Sequence, residues 1–276
     1  MPRIIRMDFY RLFRNKLTYI LLGATVLFTA FMMLTYGFLE LSVKVLDTEE
    51  LGAETVALIE ATLPQNLEGY FTMFISGNLI IVFILLFAIL FCSAEYKTGY
   101  IKNTAVNILP RYLTYFSKLI VVSIYCVAIF AIVLLVLFGG CAIMGHVGFE
   151  DPKAFVKAIA IIVAQILCNI SLTSFFMMLY YVTRSTSLTM ISGLVYSTMG
   201  TLLYSLVNLL LSVAFPSKNV DSTKFTNLGN MIYHLHINNT GDDFRNNIIR
   251  SIIVSIVFLA LSSFLSCVAI NKKDIK

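Results

Sequence analysis

Six long blocks of the sequence contain no Asp, Glu, Lys or Arg: 17–39, 70–94, 119–145, 158–183, 185–211 and 251–270. A bilayer core about 30 Å thick is crossed by about 20 apolar residues in a helix, and each block meets that length. In lipid a helix is also the form in which a single segment satisfies its own backbone hydrogen bonds. The chain is therefore expected to be all-α, a polytopic membrane protein with six transmembrane helices in a single transmembrane domain over residues 1–276. Composition agrees: 59% of residues are hydrophobic and 13% charged, against about 25% charged in soluble domains. The first block is too long for the apolar core of a signal peptide, and no clear small-residue cleavage site follows it, so it reads as a retained span.

Charge outside the blocks is uneven. Arg3, Arg6, Arg11, Arg14 and Lys16 precede the first block against Asp8; Lys97, Lys102, Arg111 and Lys118 follow the second against Glu95. Arg184 separates the fourth and fifth blocks, and Lys272, Lys273 and Lys276 follow the sixth. Between the first two blocks stand Glu40, Asp47, Glu49, Glu50, Glu54, Glu60 and Glu68 against Lys44. The positive-inside rule places the basic segments, and with them both termini, in the cytoplasm of a multi-pass cell-membrane protein.

The first 16 residues set Ile5, Phe9, Leu12 and Phe13 at helical spacing, with Arg3, Arg6, Arg11 and Arg14 over the remaining surface. That pattern predicts an amphipathic helix in the inner interface, facing anionic lipid headgroups. The segment between the first two blocks has Leu51, Val56, Leu58, Ile59 and Leu63 ahead of Pro64, which suggests a short helix there. Residues 216–247 read as a second long outer loop, with 225–237 apolar enough to fold back onto the membrane.

Catalytic chemistry finds little to work with. Cys92, Cys126, Cys141, Cys168 and Cys267 lie in or beside apolar blocks without metal or disulfide spacing, and His146, His234 and His236 lack ligand spacing. No H-E-x-x-H and no G-x-x-x-x-G-K-[ST] occurs, so neither a zinc protease nor a nucleotide loop is expected. Proton- or ion-driven carriers generally keep charged groups within their spans, and the absence of such groups here weakens that reading without abolishing it. Uncharged polar residues are patterned instead. Gln165, Asn169 and Thr173 recur every four residues; Thr198, Thr201, Ser205, Asn208 and Ser212 share a helix face, as do Ser251, Ser255, Ser262 and Ser266. Such stripes are ordinary packing material between helices in lipid. Alternatively, Gln165, Asn169, Thr173, Thr198, Thr201, Ser205 and Asn208 line a weakly polar translocation path.

With neither coupling charges nor a phosphate loop, a transporter of this kind must borrow a motor. At this point the sequence resembles a type-2 ABC transporter permease, the six-span exporter subunit with a separate ATPase. Three features carry the resemblance: the basic N-terminal stretch leading into the first span; Glu95, Gly99 and Lys102, then Pro110, Arg111 and Lys118, after the second; and the short basic tail. The resemblance implies that 93–118 holds a cytoplasmic coupling helix, with Glu95, Tyr96, Lys97, Gly99, Tyr100, Lys102 and Arg111 contacting the ATPase. It implies two ATPase subunits that bind the ATP and Mg, a second permease copy or paralogue, lipid contact and no nucleic acid. No cofactor and no catalysis are expected in this chain. Relatives of this size include bacteriocin- and lantibiotic-immunity, bacitracin-resistance and toxin-peptide exporters, which favours an amphipathic or hydrophobic peptide cargo. An ion-driven carrier and a non-transporting sensor or scaffold remain the other readings.

Overall fold

The computed structural model describes residues 2–45, 64, 67, 69–70, 74, 79–97, 112–145, 152–214 and 242–272. Among them lie seven long helices: α1 (Pro2–Arg14), α2 (Lys16–Val45), α3 (Leu79–Lys97), α4 (Tyr112–Met144), α5 (Pro152–Thr183), α6 (Thr186–Ala214) and α7 (Asp242–Lys272). Among the described residues four stretches, Lys16–Ser42, Tyr112–Met144, Phe155–Thr183 and Ile248–Asn271, are long and apolar enough to cross a membrane. The chain is an all-helical, multi-pass membrane protein. The apolar part of α3, Ile80–Ala94, is shorter, and α6 occupies the fifth expected block. The helices suggested within 51–63 and 225–237 lie outside the described residues.

Helices overrun the blocks that announced them. α4 begins at Tyr112, inside the segment expected to be a polar cytoplasmic connection, and α7 begins at Asp242, inside the expected outer loop.

Helix ends at three places have local causes. At the α1–α2 corner, Asn15 Oδ1 accepts a hydrogen bond from Leu17 N at 3.1 Å and caps α2. The hydroxyls of Thr18 and Tyr19 reach back to the carbonyls of Leu12 (2.9 Å) and Phe13 (2.8 Å). These are among the carbonyls that a helix C-terminus leaves unpaired. Between α5 and α6, Arg184 takes a left-handed φ of 54° and its N–H closes on Tyr180 O at 2.7 Å. Ser185 Oγ then accepts from Leu188 N at 3.3 Å and caps α6. Gly145, at φ 82°, ends α4, a conformation that glycine adopts without a Cβ penalty.

α4 is the hub of the packing. It touches α1, α2, α3, α5 and α7, and it buries Tyr115, Val122, Cys126, Ile129, Val133, Leu137 and Cys141 at intervals of helical register. Phe87 of α3 stacks on Tyr125 of α4 with ring centroids 3.7 Å apart. α2 approaches α4 through two reciprocal Gly–Met pairs. A Cβ built on Gly37 would lie 2.6 Å from Met144 Cε, and one on Gly140 would lie 2.5 Å from Met33 Cε. The most extensive helix pair is α5 with α7.

Candidate functional site

The α5–α7 interface is a seam of hydroxyls. Ser251, Ser255, Ser262 and Ser266 are all buried along one face of α7, as their register predicts. Opposite them on α5, Ser171 Oγ donates to the carbonyl of Ser255 at 2.7 Å, and Cys168 Sγ lies 3.1 Å from Ser255 Oγ. One turn further, Ser174 Oγ lies 2.6 Å from Ser262 Oγ and 2.7 Å from the phenol of Tyr115. That phenol is also 3.3 Å from Ser263 Oγ, so a single side chain of α4 ties α5 to α7. Small hydroxylated residues let helices approach closely in lipid and supply hydrogen bonds across the gap. Tyr115 carries no signal in the sequence, because it lies within 93–118, ahead of the apolar block that begins at Leu119, and it joins that helix only because α4 starts at Tyr112.

Gln165, Asn169 and Thr173 form a separate stripe on α5. All three are buried. Asn169 Nδ2 donates to Gln165 O at 2.8 Å, and Thr173 Oγ1 donates to Asn169 O at 2.7 Å, so the stripe spends these donors within its own helix. Asn169 Oδ1 has no hydrogen-bond partner among the described residues. Phe176, on the same side of α5, meets Tyr196 of α6 edge-on at 5.8 Å, which turns this face toward α6. Thr198, Thr201, Ser205 and Asn208 fall within the range of α6, beyond Tyr196.

The N-terminal helix forms as its spacing predicts, but its buried face is rotated. Ile4, Asp8 and Leu12, at successive intervals of four, are 7%, 1% and 5% exposed, whereas Phe13 is 66% exposed. The expected stripe of Ile5, Phe9, Leu12 and Phe13 is displaced because α1 packs on α4, which offers a polar partner for the one acid of the helix. Ser117 Oγ donates to Asp8 Oδ2 at 2.5 Å. Arg11 Nη1 lies 3.9 Å from Asp8 Oδ1. Arg14 Nη1 donates to Tyr10 Oη at 2.8 Å with its guanidinium 5.8 Å from that ring centroid. Arg6 is exposed, and Arg3 lies on the first turn of α1. The signal for Asp8 was available: it is a lone acid on the Ile4–Leu12 face of a basic helix.

Of the expected coupling residues, Glu95, Tyr96 and Lys97 lie on the last turn of α3. Gly99, Tyr100, Lys102 and Arg111 lie outside the described residues. Lys118, the last base of this segment, is 1% exposed. It sits one residue past Ser117, on the stretch of α4 over which α1 packs. Among the described residues no group of three or more His, Cys, Asp or Glu could hold a metal ion.

No model of a known protein family matches the chain, and no curated protein matches it either.

Proposed function

We propose that the chain is the membrane subunit of an ATP-driven exporter of the type-2 ABC kind. In this reading it crosses the bilayer six times with both termini in the cytoplasm, catalyses nothing itself, and pairs with a second permease. Two ATPase subunits supply the energy, and an amphipathic or hydrophobic cargo, such as a toxin or antimicrobial peptide, leaves the cell. The observation that carries this is mechanical. α3 continues past its apolar stretch to Lys97 and α4 starts at Tyr112, so stiff helices flank residues 98–111 on both sides. The Phe87–Tyr125 stack ties those helices together, and Asp8–Ser117 ties α1 to the same end of α4. A push on that segment would pass directly into helices that cross the membrane.

In the same proposal the buried stripe of Gln165, Asn169 and Thr173, facing α6, opens when the helices tilt. Asn169 Oδ1, already desolvated and without a partner among the described residues, would then meet polar groups of the cargo. Energy entry is tested by copurifying the full chain with any ABC ATPase encoded beside its gene; finding none that associates would count against the proposal. Glu95→Ala with Gly99→Trp should weaken the association about tenfold or more, as loss of an interface hot spot does, and abolish ATP-dependent efflux. Wild-type behaviour of that variant, or efflux that survives ATP depletion and collapses with a protonophore, would refute the proposal.

A further inference from the structure

A cleft of about 300 Å³ opens between the α1–α2 corner and the end of α3, lined by Tyr10, Arg11, Arg14, Asn15, Phe91 and Ala94. Its two walls differ in chemistry. One carries two guanidinium groups a single helical turn apart, and the other is the apolar side of α3. The cations are positioned: Arg14 is held by the Tyr10 hydroxyl at 2.8 Å, and Arg11 is braced at 3.9 Å from buried Asp8. Each guanidinium carries its N–H donors in a planar fork that matches the geometry of a phosphate. Asn15 adds an amide donor, since its Oδ1 is engaged by Leu17 N.

The depth of the cleft follows from its neighbours. It lies at the Lys16 end of the membrane-crossing stretch Lys16–Ser42, where the apolar region begins. Tyr10 and Tyr19 around this corner are 60% and 57% exposed, and exposed tyrosines at the end of a span mark the level of the headgroups. Whichever side of the membrane this end faces, the cleft is at headgroup depth.

We infer that this cleft binds the phosphate-bearing headgroup of an anionic phospholipid. Arg11 and Arg14 hold the phosphate, and the first carbons of an acyl chain lie against Phe91 and Ala94. Charge-assisted Arg–phosphate bonds supply the recognition, and the open apolar wall lets the tail continue into the bilayer. The bound lipid bridges α1 to α3 and steadies the corner at Asn15. This inference rests on the membrane-crossing fold and not on the transport proposal, so the two can fail separately.

The test is native mass spectrometry of the detergent-purified full chain titrated with phosphatidylglycerol or phosphatidylcholine. Phosphatidylglycerol should be retained in preference, and Arg11→Gln with Arg14→Gln should reduce that preference by about fivefold per cation removed. Arg6→Gln, on the same helix but outside the cleft, should change nothing. Arg14→Gln alone keeps the Asp8 contact intact and serves if the double variant misfolds. Ala94→Trp, which fills the apolar wall without altering charge, should also displace the lipid. Inorganic phosphate should compete weakly, because it lacks the tail; equal competition at matched concentration would make the site one for free phosphate and overturn the lipid assignment. Equal retention of the two lipids, or undiminished preference in both Arg14→Gln and Ala94→Trp, would also overturn it.

Discussion

Asp8 and Ser117, 109 residues apart in the chain, meet through a buried hydrogen bond that fastens α1 to α4. A carboxylate 1% exposed is tolerated only when its desolvation is offset by partners. Replacing Asp8 with Ala should therefore cost about 1.5–3 kcal/mol, the range for a hydrogen bond to a charged group. Ser117→Ala should cost as much or more, since it leaves the carboxylate buried without that donor. In thermal unfolding of the detergent-solubilised chain, the double variant should cost less than the two single losses added together. Strict additivity would mean that the two groups do not stabilise each other.

The α5–α7 seam should respond to bulk more than to the loss of a hydroxyl. Interhelical hydrogen bonds in membranes average about 0.6 kcal/mol, so Ser174→Ala should destabilise only slightly. Ser174→Leu should do far more damage, because Ser174 lies 2.6 Å from Ser262 and the helices have no room for a larger side chain. Unfolding in a denaturing detergent series would rank the two variants, and similar losses in both would contradict the packing account.

Tyr125 offers a test of opposite sign. It is 2% exposed, it stacks on Phe87, and its hydroxyl has no hydrogen-bond partner among the described residues. An unsatisfied buried polar group costs about 1–3 kcal/mol. Tyr125→Phe preserves the ring stack and removes that cost, so the midpoint of thermal unfolding should rise or stay level. A clear fall would mean that the hydroxyl has a partner in the folded protein.

The reciprocal Gly–Met contacts predict a graded response. At Gly140 an added Cβ meets the mobile end of Met33, so Gly140→Ala should be absorbed by a rotation of the thioether chain. Gly140→Leu leaves no such escape and should separate α2 from α4 at a cost of about 1–3 kcal/mol, typical of overpacking. Crosslinking between cysteines introduced on α2 and α4 should persist in the alanine variant and fade in the leucine variant.

The apolar cores of the helices were legible because crossing a bilayer demands length and freedom from charge, and both can be counted along the chain. The serine face of α7 was legible for a similar reason, since register alone assigns Ser251, Ser255, Ser262 and Ser266 to one side. Its counterpart was not. Periodicity names a face but not its neighbour, and Cys168, Ser171 and Ser174 became the other half of the seam only once α5 lay beside α7. Helix ends were hidden because a helix can leave the apolar layer when its polar residues find partners, as Ser117 does in Asp8. The partner of that serine is distant in sequence, beyond the reach of any local pattern.

Arg184 carries one more consequence. Its φ of 54° is a conformation in which a side chain costs about 1–2 kcal/mol per residue and glycine costs nothing. The hairpin would close more comfortably on glycine, yet it closes on the bulkiest of the cations. Arg184→Gly would therefore relieve the backbone at this turn while removing a cation from it. A cation at that apex is costly to draw into hydrocarbon, so the turn between α5 and α6 resists entering an apolar layer.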